Sequence, residues 1–246
     1  MTSLALALRY LTIVPVSAGA HVEPTTLGRS AAWFPLIGLA LGVIVAGAER
    51  VISTLFATLL DALLTVTLWK LLTGGLHLDG LADCLDGLVG RDAADRLRIM
   101  RDSRIGAFGA VGLILFLLLE VAAVSELTAA RGRTLLAAPA LARAMSPAVA
   151  WIFPPATPLG QGAMFRSGLT RARTLVAVGL GGVIAVAALG IAGLGVFALA
   201  AAASVGLGWF YTRRLGGVTG DVLGAAIEIT ELIVLLTVVA WTNTPR

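Results

Sequence analysis

The stretch GGLHLDGLADCLDG, residues 74–87, decides the organisation of this chain, because it is a polar island between long apolar runs. Six of the chain's fourteen acidic residues lie between positions 79 and 102, and five arginines lie between positions 91 and 104. If residues 76–89 form a helix, Asp83 and Asp86 follow Asp79 by four and seven positions. At about 100° per residue, the three carboxylates then share roughly 60° of one helix face.

Three carboxylates on one face repel each other unless a cation neutralises them. Oxygen ligands at this spacing suit a hard divalent ion such as Mg²⁺, which takes a few carboxylates together with water and substrate phosphates. A solvated helix face with arginine counter-ions is the alternative. We favour the metal interpretation because the acids lie beside hydrophobic spans, and expect Asp79, Asp83 and Asp86 to be the ligands.

The composition predicts a polytopic membrane protein. Of the 246 residues, 58% are hydrophobic and only 13% are charged, whereas soluble domains carry about 25% charged residues. We expect one all-α domain over residues 1–246, a transmembrane helical bundle of about seven spans. The predicted spans are 31–48, 52–73, 106–125, 134–153, 174–192, 195–212 and 222–241. The single cysteine excludes an internal disulfide.

The arginine distribution predicts the topology. If residues 74–105 are cytoplasmic, twelve loop arginines fall inside and four outside, which favours a cytoplasmic N-terminus and an outer C-terminus. The loops at 154–173 and 213–221 then share the cytoplasmic face. In a soluble protein, the net charge of +4 would suggest binding to nucleic acid. Here the membrane topology explains the arginines, so we expect no nucleic acid as a partner.

Ionisable residues inside predicted spans are costly and therefore informative. Ion pairing is the preferred interpretation for Asp61 and Lys70. Arg143 needs a partner, and a carboxylate and a substrate phosphate are equally good candidates. The full set is Asp61, Lys70, Glu120, Arg143, Glu228 and Glu231.

Two families share parts of the polar motif. Residues 83–91 are close to the first half of the CDP-alcohol phosphotransferase signature, D-x2-D-G-x2-A-R, but the second half departs from it at Met100 and Arg104. The chain more closely resembles the cobalamin synthase family, the adenosylcobinamide-GDP ribazoletransferases, and it does so over its whole length. That resemblance rests on GGLHLDGLAD (74–83), DG (86–87), IMRDSRIGAFG (99–109), RYLTIVPV (9–16) and LGGVTGDVLGA (215–225).

The resemblance implies an enzyme of the bacterial cytoplasmic membrane. A hydroxyl of α-ribazole, or of its 5′-phosphate, attacks adenosylcobinamide-GDP, and GMP leaves. Mg²⁺ on the aspartates suits this chemistry, because phosphoryl transfer depends on positioning and charge stabilisation. The family often carries an arginine before residues 160–162; this chain has PPATP at 154–158 instead, and Arg166 is the alternative anion contact.

The expected roles of the remaining site residues follow from their chemistry. Asp102 or Asp221 closes the metal site, and Asp221 is either a simple helix cap, a metal ligand or the general base; we favour a functional role. The expected substrate contacts are the phosphate clamps Arg101 and Arg104, the intramembrane Arg143, and the glycines Gly80 and Gly87, which permit close approach of a bulky ligand or a helix.

Two other functions compete with this one. A CDP-alcohol phosphotransferase of lipid synthesis is the alternative enzyme. The non-enzymatic alternative is a cation-coupled transporter. Its intramembrane relay would consist of Asp61, Glu120, Glu228 and Glu231. The choice of acceptor, the number of metal ions and the oligomeric state, including a homo-oligomer, stay open.

Overall fold

The computed structural model describes residues 3–16 and 24–243, and over these residues the chain is α-helical without a β-sheet. This confirms the predicted all-α class. Only an isolated bridge, between Pro155 and Val218, has β geometry in the described part. The helices are α1 Ser3–Leu11, α2 Pro24–Arg29, α3 Phe34–Ile52, α4 Thr58–Leu72, α5 Leu76–Gly87, α6 Ala93–Ile99, α7 Ala107–Glu126, α8 Arg131–Ile152, α9 Gln161–Gly168, α10 Arg171–Leu189, α11 Ala192–Leu215 and α12 Gly220–Asn243, with a 3₁₀ turn at Ala31–Trp33.

The helix lengths fit a multi-pass membrane protein. Six helices of the described chain are long and apolar enough to cross a bilayer, and a seventh span results if α4 and α5 are counted together. The prediction of about seven spans is therefore confirmed. These two helices meet at 92°, because Gly74 and Gly75 adopt φ angles of +64° and +66° between them, which glycine tolerates without a Cβ clash.

One predicted span has different bounds in the structure. The apolar run 52–73 was expected to be continuous, but α3 extends to Ile52 and α4 begins only at Thr58. Apolar composition alone cannot distinguish a helix end from a helix start, since both lie in hydrophobic sequence.

Helix α8 lies at the centre of the bundle and packs against α3, α10 and α12. The contact with α3 depends on small residues. A Cβ atom at Gly38 would lie 2.3 Å from the carbonyl oxygen of Pro139, and one at Gly42 would lie 2.7 Å from that of Leu135. Such close backbone approach is how helices gain packing energy in lipid, where burial from water supplies little.

The polar segments converge at one end of the bundle, which we call the motif end (residues 74–106, 153–170 and 216–219). Here the Ala156 N–H donates to the carbonyl of Val218 at 2.9 Å, and the Val218 N–H donates to that of Pro154 at 2.8 Å. At the opposite end, Arg131 pairs with Glu49 at 3.1 Å and with Asp61 at 2.5 Å. The predicted pairing of Asp61 is thus confirmed.

A buried ion cluster joins four helices in the interior of the bundle. Its members are Lys70, Glu120, Arg143, Glu228 and Glu231, all buried. Lys70 Nζ contacts Glu120 at 2.8 Å, Glu228 at 2.5 Å and Glu231 at 3.1 Å. Arg143 contacts the other oxygen of Glu231 at 2.5 Å. The cluster fixes α4, α7, α8 and α12 in register, because each charge is enclosed and depends on its partners.

The sidedness of the bundle stays a prediction that a reporter assay checks. We expect a reporter inserted within residues 91–98 to read cytoplasmic and one fused after Arg246, which lies outside the described residues, to read external. The physical reason is that this orientation places twelve of the loop arginines on the cytoplasmic side and four outside. External reporter activity from the 91–98 insertion would contradict this orientation.

The buried ion cluster makes a second prediction. Lys70→Met leaves three glutamates enclosed with one cation, so it should cost about 3–5 kcal/mol of stability, the usual cost of breaking a buried ion pair. Adding Glu228→Gln should recover part of the loss. Arg98→Met breaks an exposed pair with Asp95 and is the control, expected to change stability by at most about 1 kcal/mol. Thermal melting in detergent measures the stability of all three variants. Equal melting temperatures of Lys70→Met and the wild type would refute a stabilising role of Lys70 in the cluster.

Candidate active site

The acidic face of α5 opens onto a cavity at the motif end. Asp79 is exposed and Asp83 is half-buried, and both line a cavity of about 480 Å³. The other wall of this cavity belongs to the α6–α7 loop and carries Arg101, Asp102 and Arg104. The structure thus brings two of the three predicted metal ligands opposite the predicted phosphate clamps.

Asp86, the third predicted ligand, caps another helix. Its Oδ2 accepts the N–H of Gly106 at 2.7 Å, and its Oδ1 accepts the N–H of Gly109 at 2.8 Å. These are the free N–H groups at the start of α7, where a carboxylate is favourable. A Cβ atom at Gly106 or Gly109 would lie 2.4 Å from the Asp86 carboxylate. Asp86 therefore fixes α7 against α5, and its role as a metal ligand stays a prediction.

Asp221 lies at the start of α12 and is brought against α5. A Cβ atom at Gly80 would lie 2.8 Å from the Asp221 carbonyl oxygen, so this glycine is what allows the two helices to touch. Asp221 and Asp79 line one cavity of about 110 Å³, and Asp83 lies within electrostatic range of both. Residues about 140 positions apart in sequence thus form one acidic group.

The α6–α7 loop presents one paired and one open arginine. Arg104 donates to the carboxylate of Asp102 through Nε at 3.0 Å and Nη2 at 2.7 Å. These hydrogen bonds hold the pKa of Asp102 at about 2, so this carboxylate is ionised and weakly basic. Arg101 is exposed and lines both the 480 Å³ cavity and a neighbouring one of about 260 Å³.

Three other predicted substrate contacts are occupied by protein. Arg143 is fully enclosed and paired with Glu231, so the structure does not bring it to the acidic face. Beside Gly87 lies the side chain of Met100, 2.8 Å from where a Cβ would be. Gly80 faces Asp221 and also lines the 110 Å³ cavity. The glycines thus serve helix contacts, one of the two uses expected for them.

The acids at this face lack a cation from the protein. Within residues 3–16 and 24–243, Lys70 and Arg143 pair with glutamates of the interior, and Arg131, Arg98 and Arg104 take the other ion pairs. No lysine or arginine of those ranges pairs with Asp79, Asp83 or Asp221. Like charges held together in this way favour binding of a cation.

Sequence comparison now decides the family. A family model described as "Cobalamin-5-phosphate synthase" matches residues 3–239. The chain belongs to this family. It is 38% identical over 242 residues to an "Adenosylcobinamide-GDP ribazoletransferase" of Geotalea daltonii, covering 96% of each chain. It is 40% identical over 240 residues to the enzyme of that name from Pseudomonas aeruginosa strain UCBPP-PA14, covering 96% of this chain and 97% of the relative. No solved structure matches.

The resemblance inferred from the motifs is thereby confirmed. The sequence did not identify every residue around the candidate site. Tyr10, Ser146 and Gln161 line the same cavity as Asp79 and Asp221. Tyr10 lies in the RYLTIVPV motif and Gln161 in a Gly-Gln-Gly sequence, and these were the available signals. Ser146 lies in the apolar run of α8, and no motif in the sequence marks it.

Arg166, the alternative anion contact, has a different role in the structure. It donates to the carbonyl oxygens of Ala150 and Trp151 at the end of α8, and its guanidinium lies 4.4 Å from the ring centroid of Trp151. An arginine at the C-terminus of a helix satisfies carbonyls that have no partner within the helix. Thr157, in the PPATP stretch, lines the 260 Å³ cavity.

The different surroundings of two aspartates make a prediction. Asp86→Ala removes two charge-assisted hydrogen bonds to the start of α7, each worth about 1.5–3 kcal/mol. We expect its melting temperature to fall by about 5 °C or more. Asp83→Ala removes one charge from a group of like charges, so its melting temperature in metal-free buffer should be unchanged or higher. Equal destabilisation by both substitutions would be inconsistent with these contacts.

Proposed function

We propose that this protein is an adenosylcobinamide-GDP ribazoletransferase of the bacterial cytoplasmic membrane. Its reaction joins adenosylcobinamide-GDP to α-ribazole, or to α-ribazole 5′-phosphate, and releases GMP. The observation that carries the proposal is the group formed by Asp79, Asp83 and Asp221, which has no protein cation among the described residues and faces the wall that carries Arg101. In a cobalamin-5-phosphate synthase, such a group suits a pyrophosphate with its metal.

The donor set fits Mg²⁺. Asp79 and Asp83 offer carboxylate oxygens to an open cavity, and Asp221 of α12 lies beside them as the general base. Mg²⁺ takes one or two carboxylates and completes its shell with water and phosphate oxygens, so an open cavity suits it better than a closed cage. When bound, the ion would neutralise charge on the pyrophosphate oxygens.

The residues of the chain have distinct roles in the proposed reaction. The acceptor hydroxyl oxygen forms a bond to the cobinamide-side phosphorus, and the bond from that phosphorus to the bridging oxygen breaks, so that GMP leaves with the electron pair. Asp221 accepts the hydroxyl proton. Arg101 binds phosphate oxygens from the opposite wall, and Arg104 does so after exchanging its contact with Asp102.

The transporter alternative loses its proposed relay in this structure. Asp61 pairs with Arg131, and Glu120, Glu228 and Glu231 all contact Lys70. The CDP-alcohol phosphotransferase alternative makes a different chemical claim, since it releases CMP. Nucleotide analysis of a single reaction mixture therefore separates the two enzymes.

We expect the purified protein to release GMP from adenosylcobinamide-GDP in the presence of α-ribazole or its phosphate and Mg²⁺, and to stop when EDTA is added. Asp221→Asn should lower turnover about 10²–10⁴-fold, as loss of a general base does, and Asp83→Asn should raise the Mg²⁺ concentration needed for half-maximal activity. Asp92→Asn is the control, because Asp92 caps α6 outside the site and asparagine caps equally well. Release of CMP from a CDP-alcohol, or full activity in EDTA, would overturn the proposal.

A further inference from the structure

A small cavity lies behind the acidic face, between α1, α5, α8, α9 and α12. Its volume is about 110 Å³, enough for several water molecules or for a sugar-sized group. Its polar lining consists of Tyr10, His77, Asp79, Ser146, Gln161 and Asp221. Two of these are carboxylates of the acidic group, so the cavity opens directly onto the site of reaction.

His77 is the residue in this cavity that has no structural explanation. Its side chain is 3% exposed, and neither ring nitrogen has a hydrogen-bond partner among the described residues. Buried polar groups are almost always paired, so an enclosed imidazole without a partner indicates a ligand or ordered water. Gly224 of α12 packs against the backbone of His77, with a Cβ position 3.4 Å from the His77 Cα, so this turn of α5 is fixed against α12.

The lining selects the chemistry of the ligand. The carboxylates of Asp79 and Asp221 repel phosphate and accept hydrogen bonds from hydroxyl groups. A neutral imidazole offers one donor and one acceptor, which matches a hydroxyl group that donates and accepts. On one side lies the ring of Tyr10, which stacks on Phe34 and Phe165 at centroid distances of 6.0 and 6.5 Å and is held in place by them. A neutral polyol with adjacent hydroxyls fits this lining.

We propose that this cavity binds the ribose of the nucleoside acceptor, and that His77 is a positioning residue that hydrogen-bonds the ribose 2′-hydroxyl. The assignment rests on the proposed function, in which the donor reacts through a pyrophosphate and the acceptor through a sugar hydroxyl. The pyrophosphate belongs at the Arg101 wall, where positive charge is available. The ribose then lies on the other side of Asp221, with its attacking hydroxyl directed at the carboxylate that takes the proton.

The test compares His77→Leu with His77→Asn on α-ribazole and on 2′-deoxy-α-ribazole, with GMP release as the readout. The wild type should prefer α-ribazole. His77→Leu keeps the approximate volume but loses both hydrogen-bonding atoms, so its KM for α-ribazole should rise about tenfold. Its KM for adenosylcobinamide-GDP should stay within about twofold. His77→Asn retains a donor and an acceptor and should keep part of the preference.

The controls separate a local effect from general damage. Ser204→Ala removes a buried hydroxyl that is hydrogen-bonded to Thr230 away from the cavity, and should leave both KM values unchanged. If His77→Leu does not fold, His77→Phe, which also lacks both hydrogen-bonding atoms, gives the same comparison. A His77→Leu variant that keeps the wild-type preference for α-ribazole, or that raises both KM values equally, would overturn the assignment.

Calorimetric binding of α-ribazole alone distinguishes failure of this inference from failure of the proposed function. If the wild type binds α-ribazole and His77→Leu binds it more weakly, the assignment of the cavity to ribose is supported even when no GMP is released. If the wild type releases GMP and His77→Leu binds α-ribazole as tightly as the wild type, the proposed enzyme activity is supported and the assignment of the cavity to ribose is refuted.

Discussion

The contact between one lysine and three glutamates is the constraint on which the rest of the structure depends. Lys70 lies near the end of α4, immediately before the bend into α5, and it reaches Glu120 on α7 and Glu228 and Glu231 on α12. A buried ion of this kind tolerates few alternative arrangements, since any shift leaves a charge enclosed without a partner. The cluster therefore fixes the rotation of α12. Because Glu228 follows Asp221 by two helical turns, that rotation also sets where Asp221 meets α5.

The approach of α12 to α5 has an electrostatic cost that the packing must offset. Gly80 lets the Asp221 backbone approach to within 2.8 Å of a Cβ position, and this places the carboxylates of Asp79, Asp83 and Asp221 in one group. Their mutual repulsion would separate the helices if nothing opposed it. The buried ion cluster and the contact of Asp86 with α7 hold α12 and α7 against their neighbours despite this repulsion. The acidic group is therefore preorganised for a cation.

The sequence predicted features that depend on local pattern. Hydrophobic runs indicated the all-α bundle of about seven spans. The shared face of Asp79 and Asp83 required a helix over residues 76–89, and the structure has one at Leu76–Gly87. It could not predict contacts between distant elements. Asp86 has the same spacing signal, yet it caps α7 through Gly106. The partner of Arg143 is 88 residues away, and sequence chemistry left a carboxylate and a phosphate equally plausible until the Glu231 contact was seen.

The pairing of acids with protein cations also explains why the site lies at the end of the bundle. In the interior, where desolvation is severe, Glu231 has two cations, Lys70 and Arg143, both provided by the protein. At the motif end, the surface arginines stand across a cavity from Asp79 and Asp83 instead of contacting them. If these arginines paired directly with Asp79 and Asp83, both walls of the cavity would be neutral, and no electrostatic field would remain to attract a charged ligand. Separated walls of opposite charge instead suit a ligand that carries its own cation and its own phosphates, because each part is bound by the wall of opposite sign.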